Sequence, residues 1–131
     1  KNTIIPDSVT SIGDSAFYNC ISLTEIVIPD SVKIIDGYAF CKCSGLTSVI
    51  IGSGVNSVED SAFKNCVKLS SITCKPIIAP TLPPWYLDAF ESISSNGTLY
   101  YPKGSDYSSW IKNLTARGWE TQEIEVENIN E

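Results

Sequence analysis

Apolar residues recur through the first half of the chain at a fixed interval of 23 residues. Ile5, Ile28 and Ile51 form one such column, and Val9, Val32 and Val55 another; Ile12, Ile35 and Val58 follow. The pairs Ala16-Phe17, Ala39-Phe40 and Ala62-Phe63 keep the same step, as do Cys20, Cys43 and Cys66, then Leu23, Leu46 and Leu69, then Ile26, Val49 and Ile72. Other columns change freely: Tyr18, Cys41 and Lys64 share one, and Asn19, Lys42 and Asn65 the next, which a solvent-facing position permits. A period of this length is the mark of a solenoid, in which each repeat is one coil that buries its apolar side only against its neighbours. Burial stabilises by roughly 1.5–3 kcal/mol for each larger side chain, so the stacked columns form a core that no single coil could make.

Within a coil, Leu23, Ile26 and Ile28 are spaced as L-x-x-I-x-I and the last two alternate with period two, which predicts a short strand ended by Pro29. Asp14-Ser15 and Asp60-Ser61 precede Ala-Phe, where a short polar side chain can cap one turn of helix or 3-10 structure. Each coil is thus one strand and one tight, mostly irregular return. Ala89-Phe90 arrives four residues late, while Pro102 follows Phe90 at the spacing that separates Pro29 from Phe17. This predicts coils over residues 1–73, a degenerate fourth coil over 74–102 with an insertion near 77–84 and a strand around Leu99 to Tyr101, and a cap over 103–131. Run backwards, the register makes Lys1 to Ile5 the strand of a preceding coil, for five parallel strands in one narrow sheet.

The unit I-P-D-S-V-x-x-I-x-x-x-A-F-x-x-C-x-x-L-x-x-I resembles the BspA-like leucine-rich repeat, also found in spirochaete surface antigens. Residues 1 to about 74 carry it well and 75–102 in degraded form; Gly52 stands where the repeat has proline, and Gly37 where Asp14 and Asp60 are acidic. The segment from Leu99 to Trp110 resembles the one that closes such arrays. The resemblance implies a leucine-rich-repeat solenoid dominated by a short-stranded parallel sheet. It also implies a bacterial protein that is secreted or exposed at the cell surface and acts in adhesion or host interaction.

Composition narrows the rest. The 131 residues suffice for one domain with a real core. They contain no apolar run of about 18 residues that would span a bilayer. The chain starts on a lysine inside a repeat and lacks methionine, so it reads as a fragment of a longer protein whose targeting signals lie elsewhere. A net charge of −6 argues against nucleic acid as a partner. Of the five cysteines, Cys20, Cys43 and Cys66 share a core column and Cys74 takes the column of Ile28 and Ile51, so these four are expected to be reduced core residues. Cys41 lies in the variable column and is expected to be the accessible thiol.

The chain has no histidine, which removes the commonest general base and zinc ligand together. Cys41 and Cys43 point in different directions and no second pair lies at ligand spacing, so no metal is expected. Asp7 with Asp30, and Asp14 with Asp60, make broken ladders interrupted at Ser53 and Gly37, unlike the gathered oxygens calcium needs. Gly52 and Gly54 are not followed by the lysine of a phosphate loop, and no nucleophile elbow is present. No cofactor is expected, and the chain reads as a non-enzyme.

What remains is surface. The outward residues of the strands form three columns on the concave side: Lys1, Thr24, Thr47, Ser70, Gly97; Asn2, Glu25, Ser48, Ser71, Thr98; and Ile4, Val27, Ile50, Thr73, Tyr100. This hydroxyl-rich face with an aliphatic stripe is the candidate partner-binding surface, for a protein or a glycan; threonine and β-branched residues also simply suit a parallel sheet. The C-terminal part is rich in aromatics. Ser105 or Asp106 can cap a helix over about 105–114 with Tyr107, Trp110, Ile111 and Leu114 on one face, and a strand follows over about 119–126 with Gln122, Ile124 and Val126 inward. That unit should close the core; the rival use of its aromatics is a sugar platform on Trp85 and Tyr86. A third possibility is a spacer within a larger surface protein. The incomplete coil at Lys1 predicts self-association through an uncovered N-terminal end.

Overall fold

A computed structural model describes residues 3–125 as a parallel solenoid. Its main sheet has five strands, Glu25–Ile28 (β2), Ser48–Ile51 (β4), Ser71–Cys74 (β6), Thr98–Pro102 (β7) and Glu120–Ile124 (β8), all parallel and adjacent in chain order. Ile26, Val49, Ile72 and Leu99 turn inward, as do Ile28, Ile51 and Cys74. The count of five strands is as expected, but the membership differs. Residues 3–5 form no strand and Ile4 is exposed, while Lys1 and Asn2 lie outside the described residues; the fifth strand is β8, at the other end. β8 continues the ladder beside β7, pairing from Thr98 with Glu120 to Pro102 with Ile124.

The returns are more regular than the sequence suggests. Ser11–Ile12 (β1), Ile34–Ile35 (β3) and Ser57–Val58 (β5) make a second parallel sheet, and Thr81 extends it through a bridge to Ser57. On the remaining side the turns stack. Phe17 N–H donates to Ala39 O (2.7 Å), Phe40 N–H to Ala62 O (2.7 Å) and Phe63 N–H to Ala89 O (2.8 Å), while the N–H groups between them close bonds within their own coil. This alternation requires left-handed backbone at Ser15, Tyr38 and Ser61 and at Asn19, Lys42, Asn65 and Ser92. Asparagine visits that region most readily among non-glycine residues. Asp14 and Asp60 accept from the hydroxyls of Ser15 (2.7 Å) and Ser61 (2.6 Å), serving the turn rather than starting a helix.

The core follows the columns. The rings of Phe17, Phe40, Phe63 and Phe90 stack at centroid spacings of 5.1, 5.2 and 5.8 Å, and Trp110 ends the series 5.3 Å from Phe90. Beside them, the Cys43 thiol donates to Phe17 O (3.1 Å) and the Cys66 thiol to Phe40 O (3.0 Å), so a small apolar residue with a weak donor suits this column. In the first coil Ile5, Val9, Phe17 and Cys20 are only half-buried, since no described coil covers them. Gly52 departs from the repeat for a local reason: a Cβ there would run into the carbonyls of Ile28 and Pro29 of the preceding coil.

The insertion is absorbed in two steps. Ser57 bridges Thr81 rather than the residue 23 positions on, and Phe63 reaches Ala89 where Phe40 reaches Ala62. One extra residue therefore precedes Thr81, and the others fall before Ala89, around a 3-10 turn at Trp85–Leu87. The cap helix, Ser108–Thr115 (α1), starts later than 105 because Asp106 Oδ1 accepts from both the backbone N–H (3.0 Å) and the hydroxyl (2.6 Å) of Ser108. It ends at Thr115, and the chain turns away at Gly118, whose positive φ of 101° lets Trp119 N–H return to Leu114 O (3.1 Å). Tyr107, Trp110 and Leu114 are buried as the helical spacing predicts. The Tyr107 hydroxyl donates to Pro76 O (2.6 Å), Trp110 Nε1 to Pro80 O (2.9 Å) and Trp119 Nε1 to Ser94 O (2.7 Å), so the cap satisfies carbonyls of the irregular fourth coil.

Candidate interaction surface

The concave columns stand in the expected register. Glu25, Ser48, Ser71 and Thr98 are successive partners, and so are Val27, Ile50, Thr73 and Tyr100. The column of Thr24, Thr47 and Ser70 is tied by Thr47 N–H to Thr24 O (2.8 Å), Ser70 N–H to Thr47 O (3.0 Å) and Thr47 Oγ1 to Thr24 O (3.0 Å). Val27 is 56% exposed and Ile50 37%, flanked by the exposed Thr24, Glu25 and Thr47. Ser48, Ser70, Ser71, Thr73, Thr98 and Tyr100 are half-buried, because neighbouring strands and the β7–β8 pair crowd this end. The structure adds two residues that sequence reasoning left out: Glu120 continues the Glu25 column and Gln122 the Tyr100 column. Gln122 was expected inward, and it is exposed; Thr121 aligns with the buried Leu99 instead. The expected position of Val126 lies outside the described residues.

At the N-terminal edge of the sheet, a depression of about 560 Å³ runs between residues 3–7 and the segment of β2 with Pro29 and Asp30. Its polar side is fixed: Asp30 accepts from Ser53 N–H (2.8 Å) and pairs with Lys75 Nζ at 3.2 Å. The Ser53 N–H above all, with Lys75, holds the Asp30 carboxyl below the usual aspartate range against the opposing effect of partial burial. The face therefore offers an aliphatic stripe, hydroxyls on either side, a carboxylate at Glu25 and a neutralised ion pair at one end. Among the described residues, no three Cys, Asp or Glu side chains gather as a metal site.

Cys41 is not accessible; its exposure is 2%. Its column does face outward, with Tyr18 exposed and Lys64 half-buried, but the shorter Cys41 side chain does not reach solvent. Burial accordingly pushes the Cys41 thiol up despite the nearby lysine charges. Cys43, Cys66 and Cys74 are buried and Cys20 half-buried, and all five are free thiols. Burial likewise raises the Cys20 thiol. Of the C-terminal aromatics, Trp110, Tyr107, Phe90 and Trp119 belong to the core, whereas Trp85 and Tyr86, the two named for a sugar platform, are exposed and meet edge to face at 5.6 Å.

No curated protein matches the chain, and no solved structure does. Residues 1–102 match the family described as BspA type Leucine rich repeat region (6 copies). The match runs through the three regular coils and the degenerate fourth to the end of β7, so the chain belongs to the BspA-type leucine-rich-repeat family.

Proposed function

We propose that the chain is a non-catalytic recognition module that binds a protein or glycan partner through its concave sheet, at a cell surface or after secretion. The family supports the coarser part of this reading: such repeats serve as protein-interaction modules, are generally not enzymes and are commonly surface-associated. Among the described residues no helix is long and apolar enough to cross a membrane. The observation that carries the reading is the pairing of Val27 with Ile50 in one exposed column, since adjacent aliphatic side chains left in water on a rigid sheet favour a partner that covers them. Thr24, Glu25, Thr47, Ser48, Ser70, Ser71, Thr73, Thr98 and Tyr100 stand around this pair in the concave columns, as the polar rim of an interface does.

The test compares the native chain with a variant carrying Val27→Ser, Ile50→Ser and Tyr100→Ser on an array of immobilised extracellular proteins and glycans. The reading predicts that the variant folds and loses the native chain's binding by at least tenfold. Undiminished binding overturns the concave site, and absence of binding by the native chain favours a spacer role.

A further inference from the structure

Between the fourth coil and the cap lies a second, open cavity, of about 470 Å³, that no residue of the five-stranded sheet lines. One wall is Leu82, Pro83 and Trp85 from the insertion; the other is Asp88 with Ser109, Lys112, Asn113, Ala116 and Arg117 from the cap helix and its exit. Trp85 is 87% exposed. The polar wall is rigid. Asp88 Oδ1 accepts from Asn113 Nδ2 (3.0 Å) and Phe90 N–H (3.0 Å), Arg117 donates to Asp88 Oδ2 (2.6 Å) and to Asn113 Oδ1 (3.1 Å). Arg117 Nε is buried with no hydrogen-bond partner among the described residues.

We infer that this cavity is a binding site for an acidic sugar, a pyranose ring bearing a carboxylate, distinct from the concave face. A bare indole beside a set of interlocked planar polar groups is the arrangement a sugar ring requires: its C–H face stacks on the aromatic plane while its hydroxyls meet donors and acceptors held at fixed spacing. The charge selects the acidic member. Asp88 is neutralised by Arg117, whereas Lys112 forms no ion pair among the described residues, so the cavity carries a spare positive charge in a chain of net charge −6. A volume of about 470 Å³ accommodates a small ligand and not the long groove that a helical or extended peptide would need.

The test titrates the chain with a glucuronic-acid tetrasaccharide, the neutral glucose tetrasaccharide of the same linkage, and tetraglutamate. Backbone NMR shifts at Ser109, Lys112 and Asn113 and calorimetry provide the readout. The uronide is expected to bind with a Kd near 1 mM or tighter and to move these three residues, the neutral sugar to bind about tenfold more weakly, and tetraglutamate not to bind. Trp85→Ala should abolish binding of both sugars, and Lys112→Gln should reduce uronide binding about tenfold, to the level of the neutral sugar. Both residues are exposed, and unchanged emission from the buried Trp110 and Trp119 verifies that each variant folds. No shift with the uronide at 10 mM or so, equal binding of the neutral sugar, tetraglutamate binding at the same residues, or full uronide binding by either variant overturns the assignment. None of these outcomes bears on the concave site.

Discussion

Replacing Phe63 with alanine tests the stacked core where it is most continuous. Phe63 is 1% exposed and lies between Phe40 at 5.2 Å and Phe90 at 5.8 Å, so the substitution removes one buried ring and two ring–ring contacts. Truncation of a buried Phe costs about 3–5 kcal/mol, and the neighbouring coils cannot collapse into the gap while their backbone ladder holds them apart. Phe17 provides the internal control. It is half-buried and has one ring neighbour, Phe40 at 5.1 Å, so Phe17→Ala should cost about half as much, roughly 1.5–2 kcal/mol. With a urea slope of about 2 kcal/mol per M, Phe63→Ala should lower the unfolding midpoint by about 2 M and Phe17→Ala by less than about 1 M. Far-UV circular dichroism must be followed alongside tryptophan emission, since Trp110 and Trp119 report only the C-terminal end and the first coil can open separately. Equal losses for the two variants, or a loss below about 1 kcal/mol for Phe63→Ala, would refute a core built from stacked coils.

Asp88→Ala should destabilise the cap by about 2 kcal/mol at neutral pH, because it leaves Arg117, Asn113 and the Phe90 N–H without their acceptor. Burial pushes the Asp88 carboxyl up, but hydrogen bonds from Asn113, Phe90 and Arg117 outweigh it and hold the carboxyl below its usual 3.8. A depressed folded pKa gives stability that is present above the usual value and lost as pH falls through the folded one, so the difference between native chain and variant should narrow in urea titrations below about pH 4. Thiol labelling of the folded chain should reach Cys20 first, with Cys41, Cys43, Cys66 and Cys74 silent until unfolding; early labelling of Cys41 would contradict its burial. Among the described residues β2 pairs on one side only, with β4, so the chain should self-associate through that edge as its concentration rises. Sedimentation velocity that shows only monomer at about 1 mM would count against this.

The repeat columns were readable because each position meets the same environment in every coil: the core list, the concave register and the strand at Leu99 all follow from one period. What the sequence hid has local causes. A strand of two residues such as Ile34–Ile35 places one side chain inward and has no alternation to display, so the second sheet is invisible until the coils are stacked. Cys41 was misplaced because a column predicts direction and not cover; its neighbours are longer than it is. The strand at Glu120–Ile124 was visible as alternation, but which face it presents depends on its register with β7, which crosses the irregular cap. The Trp85 cavity joins an insertion to a helix far along the chain, through Asp88, which lies 25 and 29 residues from its partners Asn113 and Arg117, a separation no spacing rule covers.

The register across the insertion is the hinge of the whole account, because it places Tyr100 on the concave face and sets the geometry of everything after it. Nuclear Overhauser contacts from the Thr73 methyl group test it directly. Contacts are expected to the Tyr100 ring and, on the other side, to Ile50, the two partners of Thr73 in the sheet. Contacts from Thr73 to Asn96, where an uninterrupted 23-residue period would place the next coil, would contradict it.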